Sequence, residues 1–181
     1  ISNISSLPFL LQTLTIEEMN NLTYEDFTAF EMARFLRSNA KELKREKLGD
    51  YLCSGKDFNK KIARYFIHSF NFKSLHILEA LRILFADFPL EGEGQIIQRV
   101  ILFFGEKYHK DNPGFNADSA FYVAFSLMML NTDLHRDEVE KKMSINEFVQ
   151  GIQEMEKNAQ IDPPSETKFL EDCYYRVRDN P

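Results

Sequence analysis

A chain of 181 residues, 44% of them apolar, is long enough to bury a core, so disorder is not the expectation. A formal net charge of -6 argues against nucleic-acid binding and against a basic membrane-surface patch. Only Cys53 and Cys173 are present, too few for a disulfide scaffold or a four-thiolate zinc site, which points to an intracellular, reducing compartment.

Helical periodicity recurs along the chain. Thr28 and Glu31 read as a capping box for a helix through Leu36, and Leu48 and Leu52 mark a second helix ending near Gly55. Behind Asp57 as N-cap, Phe58, Ile62, Phe66 and Phe70 recur every fourth residue and stack on one face. Ser74 reads as the cap of the next helix, with Leu75, Leu78, Leu81, Phe85 and Phe88 inward. Ile97, Val100, Ile101, Phe104 and Tyr108 form the stripe of another, broken by Pro113 and Gly114. A helix from about Ala117 to Asn131 is apolar nearly all round and therefore central. Ser144 and Glu147 make a capping box ahead of Ile145, Phe148, Ile152 and Met155; Ser165 starts a last helix with Phe169, Leu170, Cys173 and Val177 inward.

No segment alternates at period two and no Asn-Gly or Asp-Gly hairpin turn occurs, so the expected class is all-α. Short connections and the lack of low-complexity sequence or repeats predict one domain over 1–181. Seventeen Phe and no Trp favour a side chain with no polar atom, suited to a core or a dry docking groove. The longest apolar stretch, Ala120 to Leu130, is eleven residues, short of the ~20 that cross a bilayer. Ile1 to Leu14 lacks the features of a signal peptide, and a chain starting with Ile reads as a fragment of something longer.

Catalytic and metal chemistry find little support. Asp133, His135, Asp137 and Glu138 resemble ligands in a row, but a calcium loop counted from Asp133 needs Gly at its sixth position, where Glu138 stands. His68 and His76 are eight apart, so no helical zinc pair exists; no metal or cofactor is expected. There is no Gly-x-Ser-x-Gly elbow and no P-loop, and Cys173 lies on an apolar stripe.

Two segments stand apart. In Phe88-Pro89-Leu90-Glu91-Gly92-Glu93-Gly94-Gln95, two glycines straddle a carboxylate between apolar helices. They either present Glu93 at the tip of a turn or simply end one helix while Glu93 complements the next helix's dipole. In the second segment an apolar helix runs straight into Asn131, Thr132, Asp133 and His135. The adjacent Met128 and Met129 point about 100° apart, so one lines the core while the other is free to meet a partner.

Together these segments resemble the signature motifs of the Sec-seven (Sec7) domain, the exchange module of Arf guanine nucleotide exchange factors. The family's first motif reads Phe-Arg-Leu-Pro-Gly-Glu-Ala-Gln. Its second centres on Met-Leu-Asn-Thr-Asp-Leu-His, unbroken here from Met129 to His135, with Lys141, Lys142, Met143 and Phe148 matching the continuation. Arg34-Phe-Leu, Gly49-Asp-Tyr-Leu52, Phe58-Asn59 and Glu79-Ala-Leu-Arg82 follow the family's order upstream, so the likeness spans roughly Glu31 to Asn180.

The resemblance implies a right-handed superhelix of about ten helices, with an N-terminal helical half over about 1–88 and a hydrophobic groove within about 89–181. It implies Glu93 as a glutamate finger expelling GDP from an Arf-family GTPase without covalent chemistry, in vesicle trafficking, cytoplasmic and peripheral at Golgi or endosomal membranes. Phe121, Phe125, Met128, Met129 and Leu130 match groove positions, and Asp118, Asn131, Asp133 and His135 its polar rim. Phe125, Ser126, Asp133 and Met143 stand where brefeldin-sensitive relatives carry Tyr, Ser, Asp and Met. Membrane contact is expected through the GTPase or other domains.

The sequence departs from the family at Pro89, Glu91, Gly94 and Arg136-Asp137, where relatives have Arg, Pro, Ala and Asn-Pro, and no Lys-Pro-Lys-Lys-Gly precedes Leu7. Those departures favour an alternative, a non-catalytic Arf-binding module with a degenerate finger loop.

Overall fold

A computed structural model describes residues 23–88, 94–138 and 140–180. Among the described residues there are eight α-helices and no strand: α1 Tyr24–Ser38, α2 Arg45–Cys53, α3 Asp57–His68, α4 Ile77–Asp87, α5 Gly94–Asp111, α6 Ala117–His135, α7 Ile145–Asn158 and α8 Thr167–Asp179. The all-α class holds; the expected count of about ten is not reached within these residues.

The chain divides into two compact units, Ile1–Ser69 and Phe70–Pro181. Within the second unit α4 packs with α6 and α8.

In the first unit α1 and α2 both pack on α3. Ala29 and Ala33 on α1, and Ile62 and Phe66 on α3, are fully buried; Phe30 meets Tyr65 edge-on at 5.8 Å. The capping box of α1 lies five residues before Thr28. Thr23 Oγ1 accepts from the Asp26 N–H at 3.1 Å and Asp26 Oδ2 accepts from the Thr23 N–H at 3.1 Å. An Asp at the third position closes the box as a Glu would, and Thr28 bonds back to the Tyr24 carbonyl from inside the helix. Asp57 likewise lies inside α3, whose N-cap is Lys56, and pairs with Lys60 at 2.9 Å.

The second unit is built around α6, which packs on α4, α5, α7 and α8. Gly105 lets α5 approach closely, since a Cβ there would stand 2.8 Å from the Ala117 carbonyl oxygen. The phenylalanines do core work: rings run Phe70, Phe72, Phe104, Tyr108, Phe115, Phe169 with successive centroids 5.3–5.7 Å apart. The segment leading into α4 is tied to the end of α5. Asp111 accepts from the Phe72 N–H at 2.7 Å while holding the buried Lys107 amine at 2.6 Å; Asn112 bonds the Phe72 carbonyl and the Ser74 N–H.

That tie corrects the expected Ser74 cap. Ser74 is left-handed, with φ 60°, whereas an N-cap needs extended backbone. His76 caps α4 instead, its Nδ1 accepting from the Leu78 N–H at 3.3 Å. At α7 the expected box stands, with Ser144 Oγ accepting from the Glu147 N–H at 3.3 Å and Glu147 accepting from the Ser144 N–H at 2.8 Å. Helix α8 begins at Thr167 behind Glu166, two residues after the expected Ser165, which is committed to the buried Glu156, bonding it through N–H and hydroxyl at 2.7 and 2.6 Å.

Candidate functional site

Helix α6 continues one turn past Asn131, so Asn131, Thr132, Asp133 and His135 form its last turn and not a tail. Here α6 faces α4 across an open cleft of about 350 Å³. Leu78, Leu81, Arg82 and Phe85 line it from α4, and Leu127, Met128, Asn131 and Thr132 from α6. The α4 set follows i, i+3, i+4, i+7 spacing, one helical face turned to one neighbour. The result is an apolar trough with an amide, a hydroxyl and one guanidinium at its margins. Arg82 also donates to the Asn180 carbonyl, and Arg176 on α8 bridges Glu79 at 3.7 Å and Asp172 at 2.6 Å, so α8 braces the outer side of α4.

The residues singled out in the sequence separate. Met128 and Asn131 line the cleft, and Met129 stands beside it, 52% exposed. Phe121 and Phe125 stack at 6.1 Å on the stripe that leads to Met128, both half-buried. Leu130 is fully buried, a core side chain that offers no surface to a partner. Asp118 lies in the first turn of α6, about 20 Å from Asn131 at ~1.5 Å per residue. There it lines a different hollow with Phe115 and Glu166, so it is not part of this rim.

Asp133 turns toward the α6–α7 connection, accepting from the Met143 N–H at 2.6 Å, and His135 donates to the Val177 carbonyl at 2.9 Å. Two of the four residues matched to drug-contact positions, Asp133 and Met143, are thus in direct contact across ten positions of sequence; Phe125 and Ser126 are half-buried. Glu93 lies outside the described residues.

Leu78 and Leu81, expected to face inward, are buried and form the floor of the cleft, whereas Phe85, also expected inward, and Arg82, read only as a motif match, are half-buried at its side. The available signal was an arginine within an otherwise apolar helical face.

One arrangement imitates catalytic machinery. Cys173 Sγ lies 3.8 Å from His76 Nε2, which lies 3.4 Å from Asp172 Oδ2. Burial pushes the thiol up to about 12 and, with Arg176 adding to it, lowers the imidazole. Both shifts run against a thiolate–imidazolium pair, so the trio is packing and capping, not a nucleophile. Among the described residues no three His, Cys, Asp or Glu side chains gather as a metal site requires, and no helix is long and apolar enough to cross a membrane.

An all-helical unit with an apolar cleft at the end of an unbroken Met-Leu-Asn-Thr-Asp-Leu-His helix matches one family throughout. The profile described as Sec7 domain covers residues 7–181, and the chain belongs to the Sec7 domain family. It is 38% identical over 135 residues to the ADP-ribosylation factor guanine nucleotide-exchange factor SEC7 of Saccharomyces cerevisiae, covering 74% of this chain and 6% of that relative. The chain therefore spans a small fraction of such relatives.

Among solved structures, the catalytic domain of Sec7p matches at 34% identity with a TM-score of 0.73, covering 84% of this chain and 79% of that one. A Sec7 domain bound to ARF1-GDP and complexed with brefeldin A matches at 30% identity with the same TM-score, covering 84% and 75%.

Proposed function

We propose that this domain is a guanine nucleotide exchange factor for an Arf-family GTPase, docking its switch regions in the α4–α6 cleft and inserting Glu93 beside the nucleotide. The observation that carries this is the cleft itself: an apolar trough whose α4 wall runs, in sequence, straight into the Gly92-Glu93-Gly94 segment. Membership of the Sec7 family, and the ARF1-GDP partner in a similar structure, support the same reading.

The mechanism needs no bond making. A GTPase holds its diphosphate through a magnesium ion and a lysine; a carboxylate brought beside them repels the β-phosphate, takes the lysine and leaves no room for the ion. One unit charge at ~4 Å and an effective dielectric of ~20 exerts roughly 4 kcal/mol. Realised in the transition state for release, that is about a thousandfold in rate. The cleft contributes by favouring a switch conformation that binds nucleotide poorly. Such an activity acts in vesicle traffic, at the cytoplasmic face of Golgi or endosomal membranes, with membrane contact made by the GTPase or by other domains.

The test is GDP release from a soluble Arf. Wild type accelerates release strongly, whereas Glu93→Lys retains binding and loses most of the acceleration. The departures at Pro89, Glu91 and Arg136 favour a second reading, a module that binds without exchange. Wild type and Glu93→Lys that bind equally and both fail to release GDP would establish it.

A further inference from the structure

The connection between α6 and α7 is fastened where α6 borders the cleft. The last carbonyls of a helix have no intrahelical donor. In α6 the Lys142 amine supplies one, donating to the Asp133 carbonyl at 2.9 Å and to the Arg136 carbonyl. A cation there also suits the negative end of the helix dipole. Asp133 returns a bond through its side chain to the Met143 N–H at 2.6 Å, so the 133 and 142–143 positions are stapled reciprocally. From α8, the Tyr174 hydroxyl donates to the Met143 carbonyl at 2.8 Å; its ring is buried against Phe148 at 5.9 Å, which fixes the hydroxyl. None of these groups lines the cleft, yet Asn131 and Thr132, which do, belong to the turn they hold.

We propose that Lys142, supported by Tyr174, is a positioning residue that holds the last turn of α6, and with it the Asn131 and Thr132 margin of the cleft, in the form a partner binds. The inference rests on the exchange reading for its partner. Lys142 is exposed, so its replacement leaves the core intact.

The experiment measures Arf-stimulating exchange and amide hydrogen exchange together. Lys142→Met raises KM for the GTPase roughly fivefold, as expected when its two exposed hydrogen bonds are lost, with kcat little changed. Lys142→Arg, which still donates, restores most of the loss, and Tyr174→Phe raises KM in the same direction. The double variant Lys142→Met/Tyr174→Phe shows less than the product of the single effects, because both act on residues 142–143. The Arg136 amide, bonded to the Thr132 carbonyl at 3.1 Å, exchanges faster in Lys142→Met.

Unchanged KM, or a fall in kcat at constant KM, overturns the proposal, as does an Arg136 amide as protected as in wild type. A wild-type domain that binds without exchange tests the same point through Kd. One that binds no GTPase defeats the exchange reading instead, and the Arg136 amide then decides whether Lys142 holds the turn.

Discussion

At the scale of single residues, function depends on which side of α6 a side chain occupies. Leu127 to Leu130 are all apolar, but Met128 meets the cleft, Met129 meets solvent and Leu130 is lost to the core. Gly94 is the first residue of α5, and a Cβ added there meets nothing within 4 Å. The glycine is therefore a departure the fold does not require. Gly94→Ala, the residue relatives carry, should stabilise the domain by about 0.4–1 kcal/mol by restricting the unfolded chain. Thermal denaturation reads this as a higher Tm, with GDP release no slower than wild type. A lower Tm would mean the backbone there has no room for alanine.

At the scale of elements, the helix starts carry a pH signature. In both capping boxes the carboxylate is held down to about 2: Glu147 chiefly by the Ser144 N–H, Asp26 chiefly by the Thr23 hydroxyl and then by Lys61. For Glu147 the ordinary value is 4.5, so its contribution is fully present above that pH and is lost as pH falls from about 4.5 toward 2. Amides in the first turn of α7 should lose hydrogen-exchange protection over that window. Ser144→Ala, which removes one half of the box, should cost about 1 kcal/mol at neutral pH and flatten the acid dependence.

The α6–α7 connection carries a second element-scale prediction. Asp133 and Met143, joined by a hydrogen bond, stand with Phe125 and Ser126 at the positions matched to drug contacts. Brefeldin A should inhibit exchange at least partly, and Asp133→Ala should weaken that inhibition. Exchange unaffected by saturating drug would reject the assignment.

At the scale of the whole molecule, the cleft belongs to one of the two compact units. The cleft and the connection that braces it lie wholly within Phe70–Pro181. Binding of a nucleotide-free Arf should slow amide exchange along the cleft walls, in Leu81–Phe85 and Met128–Thr132, and leave α1 to α3 as they were. Protection confined to α1 to α3 would put the partner elsewhere. The aromatic run from Phe70 to Phe169 starts in the core and ends at the half-buried Phe115 and Phe169, each ring packed on the next, and the Tyr108 hydroxyl donates to the Leu75 carbonyl at 2.9 Å.

The sequence by itself determined the all-helical class, the inward faces of the helices, the α7 capping box and the family, because each rests on spacing within a few residues or on an unbroken motif. It misjudged the caps at Thr28 and Ser74, and left unread that Arg82 and Phe85 border an open cleft. Periodicity states which residues turn inward, not which neighbour they meet. Only the tertiary structure decided that Leu78, Leu81, Arg82 and Phe85 face Met128 and Asn131 across an open cleft, and that Lys142 and Tyr174 reach back to fasten the turn beside it. Contacts between positions ten to fifty apart are set by the path of the chain and the closure of its core, and no local pattern encodes them.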